Sequence, residues 1–156
     1  MNADASASPR LTYWRIWTDE QGTSHQSRCV ADDFERQSMG GAAPQWNAPQ
    51  GTGQASVVFA VLPVGWVGEW HENPKPQWIV PLSGRWFVES MDGHRVEMGA
   101  GEVSFGGDQH CAADAQGRKG HRSGTVGELP AVLMLVQLDR STARGRPANA
   151  VDERDG

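Results

Sequence analysis

Residues 70–84 read WHENPKPQWIVPLSG, and the fold turns on how this stretch is read. Side chains alternate faces along a strand, so positions of equal parity share one face. His71, Asn73 and Gln77 are all odd, and at about 3.3 Å per residue the first two sit roughly 6.5 Å apart. Both can therefore address one ion or one small ligand. Pro74 and Pro76 lack the amide hydrogen that a ladder needs, so the chain bends or bulges between them. Gln77 then opens a strand over 77–82, which ends at Ser83-Gly84.

Working outward, short β-prone segments alternate with turn chemistry on both sides. Residues 11–17 (LTYWRIW) and 23–30 are predicted strands joined by a turn at 19–22. Residues 31–36 (ADDFER) suggest one helical turn, and 37–54 a long Gly-, Pro- and Gln-rich loop carrying Trp46. The apolar run 56–62 (SVVFAVL) reads as a core strand. Asp92-Gly93 between 85–91 and 94–98 is a hairpin signal, because a type I′ turn needs positive φ at both central residues. Residues 99–105 read as a glycine turn into a strand and 106–120 as an irregular polar insertion. The most apolar segment, 131–138 (AVLMLVQL), is expected to close the sheet. Many short strands with turns between them and almost no helix predict an all-β barrel or sandwich. Residues 1–10 and 139–156 read as disordered tails around one domain over 11–138.

The same residues carry a family resemblance. From its first histidine, the 70–84 stretch resembles the first motif of the cupin superfamily, G-x5-H-x-H-x3,4-E-x6-G. Gly65 takes the leading glycine, His71 the first histidine, Asn73 the second, Gln77 the glutamate and Gly84 the closing glycine. The second motif, G-x5-P-x-G-x2-H-x3-N, is matched loosely. Gly101 begins it, Gly107 stands at the proline, and an insertion displaces the histidine to His110 or His121. The segment GEVSFGGDQH…GRKGHRSGTVG resembles small single-domain cupins with a GKGHxS-like ending, in which His121 takes the histidine position. The likeness spans roughly 55–138. It implies a single cupin-type β-barrel (a double-stranded β-helix) with short extra N-terminal strands. It also implies a metal held by His71, Gln77 and His121, with Asn73, His110 and Trp46 around a ligand pocket. Zn, Fe, Mn or Ni suit imidazole and oxygen donors. Amides in place of the second histidine and the glutamate remove a neutralising carboxylate, so weak binding is expected.

The chain has 156 residues, with 14 basic and 19 acidic side chains and a formal charge of −5. No basic cluster stands out, so nucleic acid is not an expected partner. The beginning MNADASASPR has no apolar h-region and no run approaches 18 apolar residues, so neither secretion nor a membrane is expected. Cys29 and Cys111 lack a CxxC spacing and read as reduced thiols of a cytoplasmic protein. No phosphate loop, dinucleotide motif, nucleophile elbow or Ser-His-Asp order is present, so no nucleotide cofactor is expected. Trp70, Trp78 and Trp86 recur at eight-residue intervals on the parity opposite His71. They read as packing residues, or as a homodimer face. Trp46 reads as an anchor of its loop or as a cover over a pocket mouth. Arg85 and Arg122 read as surface ion pairs or as anchors for a substrate carboxylate; Glu72 reads as structural.

Three functional classes follow. One is a metal-dependent isomerase, lyase or oxygenase acting on a small carbonyl- or carboxylate-bearing substrate. Another is a non-catalytic module that binds or senses a small ligand without metal. The third is a structural homodimer. Fold alone separates none of them.

Overall fold

A computed structural model describes residues 7–51, 53–139 and 145–153. Among these residues eleven strands follow in chain order: β1 (Leu11–Thr18), β2 (Ser24–Ala31), β3 (Glu35–Gln37), β4 (Gln45–Asn47), β5 (Ala55–Leu62), β6 (Gln77–Ser83), β7 (Arg85–Ser90), β8 (Arg95–Gly99), β9 (Ser104–Gly107), β10 (His121–Val126) and β11 (Ala131–Leu138). The fold is all-β, and among the described residues no helix is long and apolar enough to cross a membrane.

The strands form a six-stranded sheet in the order β2-β1-β9-β6-β11-β5, a three-stranded sheet β10-β7-β8 and a small β3-β4 pair. Their hydrogen bonding does not run round as one closed barrel. Alternation builds the core between the two larger sheets. Along β6, Gln77, Ile79 and Pro81 are buried while Trp78, Val80 and Leu82 face outward. Ile16, Ile79 and Leu133 of the large sheet pack with Trp86, Val88 and Met98 of the small one. A second cluster of Tyr13, Cys29, Ala31 and Phe105 lies apart from it, with Phe34, Trp78 and Ala150 packed against it.

Several expectations change here. The 31–36 segment makes no helical turn; it leads into β3, which pairs with β4 inside the expected loop, Arg36 opposite Trp46. The 92–93 hairpin forms, but only Gly93 takes positive φ (84°). Asp92 stays at negative φ because its Oδ1 accepts hydrogen bonds from Ser90 Oγ (2.5 Å) and the His94 amide (3.1 Å), which fixes a wider loop. Of the expected tails, 1–6, 140–144 and 154–156 lie outside the described residues. Residues 145–151, by contrast, run back along the sheet. The Val151 amide donates to Arg28 O (2.8 Å) and the Asn149 side chain to Tyr13 Oη (2.6 Å). Backbone groups of β2 find partners this way, Arg28 O as an acceptor and the Val30 amide as a donor to Asn149 O (3.2 Å), which a solvated tail could not supply.

Candidate functional site

The segment before β6 lies beside β10. His71 and His121 exchange both backbone hydrogen bonds, at 2.9 Å each, and their rings stand 4.6 Å apart between centroids. Gly120 makes this approach possible. Its φ is +79°, and a Cβ there would collide with the His71 carbonyl. On the next strand over, a Cβ on Gly106 would overlap the Asn73 side-chain amide.

His71, Asn73, Gln77 and His121 all line one cavity of about 140 Å³. Its remaining wall is mostly apolar, from Leu62, Trp66, Ile79, Trp86, Leu133 and Leu135. His71 is exposed at this cavity, whereas His121 is 4 % exposed. His110 and Trp46 line no part of it. His110 is exposed at positive φ (69°) in the insertion, and Trp46 sits on the separate β3-β4 hairpin. Trp86 faces the cavity although its parity predicted the opposite face. The turn at Gly84 (φ +70°) resets the alternation, so even positions Trp86 and Val88 of β7 point inward. Trp78 faces the other way, edge-on to Tyr13 and Phe105. Trp70 lies under the guanidinium groups of Arg118 and Arg122.

The residue that sequence reasoning missed is Asp108. It is fully buried, and its Oδ2 lies 2.7 Å from His121 Nδ1. Its Oδ1 accepts from the Asn73 amide (3.0 Å) and from Asn73 Nδ2 (2.7 Å). Its only sequence signal was a lone carboxylate after the paired glycines of β9. Burial alone would push this carboxyl up. The facing His121 ring and the hydrogen bonds from His121 and Asn73 outweigh it, so the group is held below the usual carboxylate range.

A carboxylate only accepts, and this fixes the direction of the polar chain that follows. Asn73 turns its nitrogen to Asp108, so its Oδ1 accepts from Gln77 Nε2 (2.6 Å). Gln77 Oε1 in turn accepts from Gln137 Nε2 (3.0 Å). Both cavity amides are thus engaged with protein partners. The two imidazoles are different. Nδ1 of His71 donates to Glu69 O (2.7 Å) and Nδ1 of His121 to Asp108, leaving Nε2 of each ring without a partner among the described residues. The arrangement can ligate an ion, donate to or accept from a ligand oxygen, or move a proton at His121 Nε2 with Asp108 holding the ring.

Among the described residues no group of three His, Cys, Asp or Glu side chains is placed to hold a metal. The indole nitrogen of Trp86, buried on the cavity wall, has no hydrogen-bond partner among the described residues. Around the site, Glu72 accepts from the Cys111 amide (2.8 Å) and lies 3.6 Å from Lys119 Nζ. Arg122 pairs with Glu89 (3.0 Å) and Arg85 with Glu102 (3.7 Å). No protein-family model and no curated protein matches the chain.

Proposed function

We propose that the chain is a cupin-type small-molecule-binding protein. His71 and His121 grip the oxygen-bearing end of a compact ligand, and the apolar wall takes its body. One observation carries this reading: two facing imidazoles share a cavity, each with Nδ1 committed to a fixed oxygen and Nε2 left free. The unpartnered Trp86 indole N–H supports it, since a buried donor without an acceptor costs stability unless something else meets it. A cavity of about 140 Å³ matches only four to five water volumes at about 30 Å³ each. It suits a ligand of a few carbons with a carbonyl or carboxylate.

His71 and His121 could also supply two of the ligands of a divalent transition metal. Metal-bound histidines characteristically donate their second N–H to a carboxylate or carbonyl, as His121 does to Asp108 and His71 to Glu69. His71 and His121 would hold the ion. Asn73 and Gln77, whose amides stay in the chain to Gln137, would position rather than ligate. A bound ion would supply Lewis-acid polarisation of a ligand carbonyl or carboxylate, the basis of an isomerase, lyase or oxygenase activity. The chain's own residues would orient the ligand, exclude water through Trp66, Leu133 and Leu135, and hold a proton at His121 Nε2.

A second reading is a metal-free, non-catalytic binder or sensor. It is favoured by the engagement of both cavity amides, which leaves two protein nitrogens where catalytic zinc sites commonly have three protein ligands. In either case the reading is of a cytoplasmic protein that meets a small molecule.

The test is elemental analysis of protein purified without a metal-affinity tag, beside His71→Ala and His121→Ala. Thermal-shift screening of small carboxylates and carbonyl compounds, with and without added Zn, Mn, Fe or Ni, accompanies it. Ligand-dependent stabilisation lost in both variants is expected, since only a ligand that binds the native state raises its melting point. About one equivalent of metal lost in both would select the enzyme reading. A parent that holds no metal after reconstitution and is stabilised by no compound would sink the proposal.

A further inference from the structure

Each imidazole of the cavity has its tautomer set by what its Nδ1 meets. Glu69 O is a carbonyl and only accepts, so Nδ1 of His71 carries the ring hydrogen. Asp108 is held ionised by its hydrogen bonds from Asn73 and His121, so Nδ1 of His121 carries a hydrogen too. A neutral imidazole has one such hydrogen, and Nε2 of each ring is then a bare lone pair. With ring centroids 4.6 Å apart on one cavity, the site presents two acceptors to one small space. We infer that the cavity selects a neutral ligand whose polar end donates two hydrogen bonds, a small dihydroxy carbonyl compound. The inference rests on the reading of this cavity as a ligand site and narrows what that site takes, to hydroxyls on a carbonyl body rather than a carboxylate.

Three further observations favour a neutral donor over an anion. The first is charge. No Lys or Arg lines the cavity. The full charge closest to its wall is negative, Asp108, bonded to both His121 and Asn73. An entering carboxylate would leave water, meet two lone pairs and stand near a buried anion, each of which opposes binding. The second is the character of the donors. Ser123 lies two residues from His121 on β10, shares its face and lines the cavity, and its hydroxyl can rotate to donate. The Trp86 indole N–H on the same wall has no partner among the described residues. Both are neutral donors, which suit a carbonyl oxygen. The third is size. A cavity of about 140 Å³ limits the ligand to about three carbons with their oxygens.

Calorimetric titration of the full chain at about pH 8.5, where an ordinary imidazole is neutral, tests it. The probes are dihydroxyacetone, hydroxyacetone and acetone, which differ only in their hydroxyls, and propanoate as an anion of similar size. The dissociation constant is expected to rise at least about threefold with each hydroxyl removed, the effect of one ordinary hydrogen bond. Propanoate should bind more weakly than hydroxyacetone. His71→Lys exchanges a lone pair for a cation at an exposed position and should reverse that last comparison. Acetone binding as tightly as dihydroxyacetone overturns the inference. So does propanoate binding ahead of hydroxyacetone in the parent, or a folded His71→Lys that keeps the parent order. One equivalent of metal on the purified chain overturns it as well, because the ion would occupy both lone pairs. In each of these cases the cavity still takes a ligand or an ion, and the broader reading stands. If none of the four probes binds, the inference falls alone when thermal-shift screening finds another ligand, and with the broader reading when it finds none. If His71→Lys fails to fold, the parent series decides by itself.

Discussion

Nδ1 of His121 lies 2.7 Å from Oδ2 of Asp108, and the carboxylate has no exposure to solvent. The other oxygen is held twice by Asn73. One buried charge therefore orients His121 directly and, through Asn73, Gln77 and Gln137, a line of amides across the cavity wall. A buried charge is stable only while its partners are complete.

Removing that charge should be costly. Asp108→Asn places amide hydrogens where His121 and Asn73 present donors, and we expect a loss of about 3 kcal/mol, in the range for breaking a buried pair. Urea unfolding measures it. A loss below about 1 kcal/mol, typical of a neutral surface change, would show that the carboxylate does not organise the site.

Stability should fall in acid. Asp19 and Asp92 flank His25 at 2.6 and 2.9 Å. In all three of Asp19, Asp92 and Asp108, burial would raise the pKa, yet hydrogen bonds and a facing histidine outweigh it and hold the group low. A depressed folded-state value means that stability is present above the unfolded carboxylate range, near pH 4, and is lost as pH falls through the folded values. Urea midpoints between pH 7 and 2 should stay level to about pH 5 and then drop. Asp108→Asn should drop less steeply; an equal slope in the variant would remove Asp108 from this account.

Two glycines with nearly the same φ should respond differently to alanine. Gly117 (φ +76°) has open space around it, so Gly117→Ala carries only the left-handed penalty of about 1–2 kcal/mol. Gly120 (φ +79°) would add a clash with the His71 carbonyl, raising the loss to about 3 kcal/mol or more. Gly120→Ala should also weaken ligand or metal binding, because the clash separates His71 from His121. Equal losses in the two variants would mean that the His71 segment yields freely.

Both thiols are free and buried. Burial pushes Cys29 up to about 11 and raises Cys111 as well, so little thiolate is available at neutral pH. A colourimetric disulfide reagent at pH 8 should titrate almost no thiol in the native protein and two equivalents after denaturation. Rapid native reaction of either thiol would indicate local opening.

The strand pattern was legible because it is local. Alternation along β6 and the strand-length apolar runs of β5 and β11 are written in consecutive residues. But β5, expected as a core strand, lies exposed at the edge of the large sheet because no further strand among the described residues pairs with it. His71, Asn73 and Gln77, of equal parity, line one cavity. The hairpin at 92–93 was legible for the same reason. Its turn was not, because two hydrogen bonds to the Asp92 carboxylate set the backbone there. Parity also misplaced Trp86, since one left-handed glycine at 84 exchanges the faces of everything after it until the next strand.

What tertiary structure alone decided is which distant groups meet. Asp108 stands 13 residues from its partner His121 in a stretch with no periodic pattern, and only the pairing of the His71 segment with β10 makes that carboxylate central. The same holds for the amides. As isolated side chains Asn73 and Gln77 could ligate, but a buried carboxylate that only accepts turns both into links of one directed chain. Local sequence determined the strands and the chemistry each could offer. Long-range packing determined which hydrogen-bonding capacity was consumed within the protein, and so left Nε2 of His71 and of His121 to face whatever enters.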